Sequence, residues 1–434
     1  MFDTNLAIAL LLGTFFIMIL VKVPVTFALA ISTMLTMVYC KVPLPSMMQQ
    51  MAKSINSFSL MAIPFFILMG EIMSAGGISK RMLDFANVIV GRMRGGLAQV
   101  NCVASMFFGG ISGSAVADVS SLGTMLIPMM HDNGYDDDFS VGITVTSACQ
   151  GLMIPPSHNM IMYSVAAGGL SVEKLFMAGY GPGVLTGVAL MIICYFIAKK
   201  RNYPRGEKVS VKEALKISRD AILALFTAVI IVGGVVCGWF TATESAAIAC
   251  IYAFVVATCV YKELKLKDVP VVLFRTVKTL ATVFGLIAAA GAFGVMLARL
   301  QVPQLITSLL LGISSSKVVT LLIINVMLLL LGCIMDMAPL ILIMTPILLP
   351  VVQSYGMSSI QFGIILICNL GIGLCTPPVG SALFVGCGIG KIKVEDAVKG
   401  MLPMYAAMIV VLLMVTFIPA ISLGLPTLLY GPVV

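Results

Sequence analysis

Four short polar stretches interrupt an otherwise apolar sequence, and they hold the residues that could do chemistry. The first, FFGGISGSAVADVSSLGTMLIPM at residues 107–129, combines four serines, four glycines and one aspartate. The others are IPPSHN at 154–159, GCIMDMAP at 332–339 and GLCTPPVG at 373–380. Glycine and proline interrupt helices, and a broken helix leaves carbonyl oxygens for a cation and N–H groups for an anion. These stretches therefore predict ion and substrate binding rather than covalent catalysis.

Patterns typical of enzymes and metal sites are missing from this sequence. It contains no HExxH, GxSxG or CxxC motif and only two histidines, so a membrane-embedded enzyme has no support. The 11 cysteines are scattered and mostly lie in apolar runs. We interpret them as packing residues rather than as a disulfide framework or a zinc site. We expect no catalytic residue and no cofactor.

The composition predicts an all-α polytopic membrane protein. Of 434 residues, 60% are hydrophobic and 10% charged, and the mean hydropathy is +1.10. Soluble domains carry about 25% charged residues. Long unalternating runs such as VLTGVALMIICYFIA at 184–198 indicate helices rather than a β-barrel. The first apolar run has no basic segment before it and no cleavage motif, so we expect a retained first span.

The basic charge is concentrated near the middle of the chain. Residues 199–219, KKRNYPRGEKVSVKEALKISR, contain eight of the 26 Lys and Arg residues. The positive-inside rule places such a loop in the cytoplasm. Neither aromatic interleaving nor a soluble module accompanies it, so we expect no nucleic-acid partner.

The two halves around this loop resemble each other. Motifs of the first half recur in the second in the same order, at offsets of 218 or 222 residues. They are Asp118 with Pro128 and Asp336 with Pro346, the double prolines 155–156 and 377–378, and VPVTFALA (23–30) with TATESAAI (241–248). This regularity predicts an internal duplication in which Asp118 is the counterpart of Asp336.

Each half is predicted to contain the same elements. These are two spans, a connection, a third span, a hairpin of two short apolar pieces, a span broken at the double proline and a last span. The predicted ranges are 5–21, 24–39, 58–74, 97–111 with 118–130, 139–168 and 176–198, and then 219–239, 243–261, 274–298, 317–334 with 336–353, 361–390 and 401–424.

The hairpins, at about 97–130 and 317–353, decide the predicted topology. Their pieces are shorter than the roughly 20 residues of a spanning helix, so we expect them to re-enter the membrane. Each half then crosses five times, and an odd number inverts the second half relative to the first. The predicted domains are two inverted repeats, 1–198 and 219–434, joined by a cytoplasmic linker at 199–218, with both termini on the opposite side.

Five polar side chains in apolar context could serve either binding or structure. For Asp336 we favour the substrate or ion cavity over a structural hydrogen bond, because an acidic residue at a membrane helix centre costs about 2.5–3.5 kcal/mol. Asp118 and His158 are weighed equally between cavity and packing. Glu71 and Glu244 are expected to form structural hydrogen bonds.

The motifs resemble those of a known transporter family. SGSAVADVSSLGTMLIP, IPPSHNMIMYS, GWFTATESAAIA and NLGIGLCTPPVG are similar to segments of the large membrane subunit of tripartite ATP-independent periplasmic (TRAP) transporters, nearly end to end. The resemblance implies an elevator-type permease of a wider ion-transporter superfamily, in the bacterial inner membrane with sodium as coupling ion. It also implies a small four-helix membrane subunit and a periplasmic substrate-binding protein as partners, besides membrane lipid and an organic-acid substrate.

The same resemblance assigns the site residues. It implies a first sodium site formed by Gly109, Ser112, Gly151, Ile154 and Pro155. It implies a second sodium site formed by Gly332, Gly373, Thr376 and Val379. The implied substrate contacts are Ser114, Asp336, Ser157 and Asn159, with Asp118 and His158 as further candidates.

The sequence therefore predicts the permease subunit of a sodium symporter. Its substrate would be an organic acid, such as a C4-dicarboxylate or a sugar acid, received from the binding protein. The alternative is a stand-alone sodium- or proton-coupled dicarboxylate or citrate carrier of the same superfamily. A neighbouring gene for a binding protein would favour the first.

Overall fold

The computed structural model describes residues 3–206, 210–313 and 316–432, without the side chains of residues 110–112 and 311. Within these ranges all elements of regular secondary structure are helices. The α-helices are α1 Thr4–Leu20, α2 Val25–Tyr39, α3 Leu44–Ile55, α4 Ala62–Ala75, α5 Ile78–Val90, α6 Gly96–Ser112, α7 Ala115–Asp132, α8 Asp137–Gly151, α9 His158–Ala166, α10 Val172–Lys200, α11 Val211–Val236, α12 Ala242–Val255, α13 Val269–Arg299, α14 Val302–Ile313, α15 Lys317–Gly332, α16 Met337–Ser354, α17 Ser359–Leu374, α18 Ser381–Gly390, α19 Val394–Phe417 and α20 Pro419–Tyr430. Short 3₁₀ turns precede α4 and α13, and a π-helical turn extends α12.

Seven helical segments of the described chain are long and apolar enough to cross a membrane, which confirms the predicted multi-pass helical class. They are Phe58–Ala75, Val172–Lys200, Val211–Val236, Ala242–Val260, Leu266–Arg299, Met337–Ser354 and Val394–Phe417. The sixth of these is α16, the second arm of the second predicted hairpin. α16 is therefore long enough to cross the bilayer, so its length by itself does not support the predicted re-entry.

Two predicted boundaries are corrected by helix ends. α11 begins inside the predicted linker, because the Ser210 hydroxyl caps it by accepting from the Glu213 N–H at 3.2 Å. The predicted last span, 401–424, is broken, because Pro419 begins a new helix and pushes Ile418 out of the helical region. Two further helices, α5 and α14, have no counterpart among the predicted elements.

Both ends of the first hairpin, α6–α7, lie against residues 201–206. Before α6, the Gly95 N–H donates to the Pro204 carbonyl at 3.2 Å. After α7, the Tyr135 ring packs on the Tyr203 ring with centroids 4.6 Å apart. The hairpin therefore begins and ends on the same side of the helix bundle.

Arg201 forms ion pairs on this side of the helix bundle, and we refer to these contacts as the Arg201 clasp. Its guanidinium binds Asp138 through two nitrogens, at 2.7 and 2.9 Å, and Asp136 at 2.9 Å. Bidentate hydrogen bonds between charged groups are stronger than single neutral ones. The Asp138 carboxylate raises the pKa of Arg201 accordingly. The start of the predicted linker is thus bound to the N-cap residue and the first turn of α8.

The two ends of the second hairpin, α15–α16, also lie next to each other. The Thr320 hydroxyl, in the first turn of α15, lies 3.1 Å from the hydroxyl of Tyr355, which follows α16. Nearby, the Tyr163 hydroxyl of α9 donates to the Ser359 carbonyl at the start of α17 at 2.6 Å. The two ends of the second hairpin therefore lie on the side of the helix bundle where α9 ends.

The helix starts give a different register for the predicted repeat. Ser114 is the N-cap residue of α7 and Asp336 is the N-cap residue of α16. Their offset is 222 (336 − 114), the same as that of the double prolines. Asp118 lies in the first turn of α7, so its predicted pairing with Asp336 is wrong. The two aspartate–proline pairs match in residue type but not in position.

Each half covers the hairpin of the other half. α7 packs against α18, and α16 packs against α9. At Gly386 of α18, an added Cβ atom would overlap a Val145 methyl carbon of α8 and would lie 3.7 Å from Val119 of α7. The hairpins are therefore enclosed by helices that are distant in sequence.

Candidate substrate cleft and cation sites

Glycine pairs bring each hairpin into backbone contact with the broken helix of its own half. An added Cβ atom on Gly151, the last residue of α8, would lie 2.7 Å from the Gly109 Cα of α6. One on Gly373 of α17 would lie 2.5 Å from the carbonyl carbon of Gly332, the last residue of α15. Any larger residue would have to displace backbone. Both contacts place the carbonyl ends of two helices side by side.

The first predicted sodium site lies at the first of these contacts. Gly109 and Gly151 touch, and Ile154 and Pro155 follow in the break between α8 and α9. The Gly151 carbonyl accepts from the Ile154 N–H at 3.0 Å and retains a second lone pair. Ser112 ends α6, but its side chain lies outside the described residues.

The second predicted sodium site lies at the second contact. The Val379 N–H donates to the Cys333 carbonyl at 2.9 Å, which joins the break after α17 to the end of α15. The Thr376 N–H donates to the Gly373 carbonyl at 3.0 Å. The Thr376 hydroxyl donates to the Ile372 carbonyl at 2.7 Å, which leaves its oxygen lone pairs for a cation.

The set of ligand atoms at the two predicted sodium sites fits a hard monovalent cation. It consists of backbone carbonyl oxygens and hydroxyl oxygens, the ligands that alkali and alkaline-earth ions prefer. Among the described residues, no group of three His, Cys, Asp or Glu side chains could hold a metal ion. A neutral set of oxygens favours Na⁺ over a divalent ion, whose charge carboxylates usually balance.

Three helices begin around one cleft between these two places. They are α7, α9 and α16, whose first turns supply most of its walls. The first turn of a helix carries N–H groups without intrahelical partners and the positive end of the helix dipole, so the cleft favours an anion. Its walls are Gly113, Ser114, Ala115, Val116, Leu152, His158, Asn159, Asp336, Met337, Ala338 and Leu374.

Three of the four predicted substrate residues line this cleft: Ser114, Asn159 and Asp336. The Asp336 carboxylate is exposed and accepts from the Ser381 hydroxyl of α18 at 3.4 Å. The Asn159 side chain donates to the Gly113 carbonyl at 3.0 Å, which fixes the turn before α7. Asp336 thus offers acceptor oxygens in a cleft whose other polar groups are mainly donors.

The remaining candidates differ in position. Ser157 is fully buried beside the cleft, and its hydroxyl has no hydrogen-bond partner within the described part of the chain. His158 lines the cleft, and an added Cβ atom on Gly113 would overlap its Nδ1 atom. Gly113 also has φ +62°, so it both turns the chain and makes room for the imidazole.

Asp118 lies one turn into α7 and does not line the cleft. It is fully buried, and neither carboxylate oxygen makes a hydrogen bond of ordinary geometry to a described residue. The Ser105 side chain of α6 adjoins it. The structure therefore separates Asp118 from Asp336.

Glu244 has the structural role predicted for it. Its carboxylate accepts from the Thr241 N–H at 2.8 Å, and its own N–H donates to the Thr241 hydroxyl oxygen at 3.3 Å. This is a capping box at the start of α12. Glu71 lies on α4 and does not line the cleft.

One pair of matching polar contacts was not predicted. In the first half, the Ser147 hydroxyl of α8 donates to the Asn101 side chain of α6 at 3.0 Å. In the second half, the Asn369 side chain of α17 donates to the Asn325 side chain of α15 at 2.8 Å. Polar residues inside apolar runs at offsets of 222 (369 − 147) and 224 (325 − 101) were the available signal. Interhelical hydrogen bonds in membranes average about 0.6 kcal/mol, so these contacts align hairpin and broken helix more than they stabilise the fold.

The helix bundle with its seven candidate spans defines a polytopic helical membrane protein. Its fold resembles the crystal structure of the Alcanivorax borkumensis YdaH transporter, with a TM-score of 0.65. The match covers 88% of this chain and 90% of that chain at 14% sequence identity. At this identity the likeness concerns the fold.

Sequence similarity then gives the family. The family described as "Tripartite ATP-independent periplasmic transporter, DctM component" matches residues 12–421. Over 383 residues the chain is 41% identical to the sialic acid TRAP transporter large permease protein SiaM of Vibrio cholerae, with 88% of this chain and 90% of that one covered. Over an alignment of 435 positions it is 36% identical to the C4-dicarboxylate TRAP transporter large permease protein DctM of Rhodobacter capsulatus, with 97% of this chain and 99% of that one covered. The chain belongs to the DctM component family of TRAP transporters, whose members are permeases.

Gly151→Ala and Gly373→Ala should each lower the apparent Tm of the detergent-purified protein, because a methyl group cannot fit against the facing backbone. Overpacking of this kind costs about 1–3 kcal/mol. Gly388→Ala in α18 is the matched control, since an added Cβ atom there meets nothing within 4 Å. Wild-type thermal stability of Gly151→Ala and Gly373→Ala would show that the close contacts are dispensable.

Proposed function

We propose that this chain is the permease subunit of a sodium-coupled importer of organic acids that carry a carboxylate. The observation that supports this most directly is the convergence of three helix starts on one cleft beside Asp336. The helix starts favour a carboxylate, and Asp336 can accept from a hydroxyl or N–H group elsewhere on the substrate. SiaM and DctM, named for sialic acid and C4-dicarboxylates, support the same substrate class.

Sodium coupling is supported by the two glycine contacts on either side of this cleft. Each offers neutral oxygen ligands at a point where a helix is interrupted, and such points hold coupling ions in secondary transporters. Sodium ions there would also add positive charge next to a bound carboxylate. Ion and substrate would therefore stabilise each other's binding.

The proposal includes two inverted halves, residues 1–198 and 219–434. α8 begins at the Arg201 clasp, whereas α17 begins beside Tyr163, near the end of α9. An added Cβ atom on Gly390, at the end of α18, would overlap a Val141 methyl carbon near the start of α8. These contacts support two broken helices that run in opposite directions. In an elevator mechanism they would move with both hairpins against the other helices.

We further propose that the basic linker faces the cytoplasm of a bacterial cell and that both termini lie on the periplasmic side of the inner membrane. A small membrane subunit and a periplasmic binding protein would complete the transporter, as the word tripartite in the family description implies. Substrate would then reach the cleft from the binding protein.

In proteoliposomes with the partner subunits, uptake should require an inward sodium gradient. Thr376→Ala should raise the sodium concentration for half-maximal uptake about fivefold, because a hydroxyl ligand is worth about 1 kcal/mol. Thr307→Ala is the control, since the Thr307 hydroxyl makes the same type of contact, to the Pro303 carbonyl at 2.8 Å, away from the site. Uptake of equal rate in potassium alone would rule out sodium coupling.

Asp336→Asn should reduce uptake about tenfold, because hydrogen bonds to a charged acceptor are worth about 1.5–3 kcal/mol. Glu71→Gln makes the same chemical change outside the cleft and should leave uptake within about twofold. Initial uptake rates, normalised to the protein incorporated, check this. A larger loss for Glu71→Gln than for Asp336→Asn would contradict the assignment of the cleft.

Single cysteines at Met93 and His131 should react with a membrane-impermeant thiol reagent only from the cytoplasm, and those at Lys317 and Gln353 only from the periplasm. All four side chains are exposed and flank the two hairpins. Cys237→Ser and Cys259→Ser remove the exposed native thiols. Labelling of the two positions of one hairpin from opposite sides would exclude re-entry.

A further inference from the structure

A second cavity lies between α3 and α13 on one wall and α9 and α16 on the other. Small residues of α13, Ala290, Gly291 and Gly294, form much of one wall. The polar residues Gln50 and Lys53 of α3 also line the cavity. The cavity is therefore open and partly polar, and none of its lining residues lines the substrate cleft.

The cavity and the substrate cleft lie on the same two helices. Ala338 of α16 lines the cleft, and Leu342 and Pro346 line the cavity. Residues four apart share one face of a helix, so a single face of α16 runs from one space to the other. On α9, His158 lines the cleft and Val165, two turns further, lines the cavity. The cavity and the cleft are thus neighbours along α9 and α16.

The cavity lies on the side opposite the Arg201 clasp. Its walls include Gly168 and Gly169, which follow the end of α9. α9 ends beside the start of α17 and the open end of the second hairpin. In the orientation proposed above, this is the periplasmic side, from which a binding protein delivers substrate.

Lys53 is the one charged residue among those that line the cavity. Its side chain is exposed, and no described carboxylate lies within 4.0 Å of its ammonium group. Lys53 also lies in the last turn of α3, where a positive charge offsets the helix dipole. That role would affect the stability of α3 but not the handling of substrate.

We propose that Lys53 is a positioning residue that attracts the substrate carboxylate into this cavity on its way to the cleft, an inference that rests on the proposed import of organic acids. A single cation on low-dielectric walls raises the local concentration of an anion. The effect concerns capture of the substrate, because Lys53 lies outside the cleft in which the substrate would finally be bound.

The test uses the complete transporter in proteoliposomes and whichever of radiolabelled succinate and N-acetylneuraminate the wild type imports. Lys53→Gln should raise KM about tenfold at low ionic strength with Vmax within about twofold, and high salt should reduce the difference. Lys53→Arg should behave like the wild type. Lys41→Gln, a change at an exposed lysine outside the cavity, should have no effect.

Charge restoration on a Lys53→Cys variant separates charge from side-chain packing. A thiol reagent that adds a trimethylammonium group should restore a low KM, and one that adds a sulfonate should raise KM further. The treated wild type controls for the exposed native Cys237 and Cys259.

Three outcomes are distinguishable. Unchanged KM in Lys53→Gln, with import by the wild type, overturns this inference and leaves the proposed function standing. A lowered apparent Tm with unchanged KM identifies the helix-dipole role alone and likewise overturns it. Absence of import of either anion by the wild type, with intact partner subunits, contradicts the proposed function itself.

Discussion

The structure depends on one constraint, which is that backbone polar groups inside a bilayer must be satisfied within the protein. Irregular backbone at membrane depth is tolerated only where other protein segments bury it or where it lines a cavity. Both breaks meet this condition through glycine contacts with a hairpin. At the second break, the Tyr405 hydroxyl of α19 also donates to the Cys375 carbonyl, and Val379 bonds to Cys333. The hairpins, the broken helices and the cleft between them follow from this need to enclose broken helices.

The breaks could be predicted from the sequence because glycine and proline act locally. The double prolines end α8 and α17 within a few residues of the expected points, and Gly113 separates the two arms of the first hairpin. The register of the predicted repeat is wrong for a different reason. Residue types alone aligned Asp118 with Asp336, whereas the capping geometry that aligns Ser114 with Asp336 appears only in the backbone.

Helices that run alongside the main spans were harder to predict. α5 has an amphipathic sequence, ISKRMLDFANVIV. Its charged residues interrupt the long apolar run that would indicate a membrane span. α20 follows α19 after only Ile418, so composition merges the two. The candidate site was predictable in its residue types but not in its arrangement. The position of Ser381 beside Asp336, and the exclusion of Asp118 from the cleft, follow from packing between segments far apart in the chain.

The reciprocal packing of the hairpins has a consequence for biosynthesis. When the ribosome has completed the first half, α7 still lacks α18, the helix that encloses it in the finished protein. The face of α7 that α18 covers, which includes Val119 and Ile127, therefore lacks this partner until roughly the last tenth of the chain has been translated. Folding of the first hairpin is thus tied to completion of the whole polypeptide, and a truncated product would present this face to degradation.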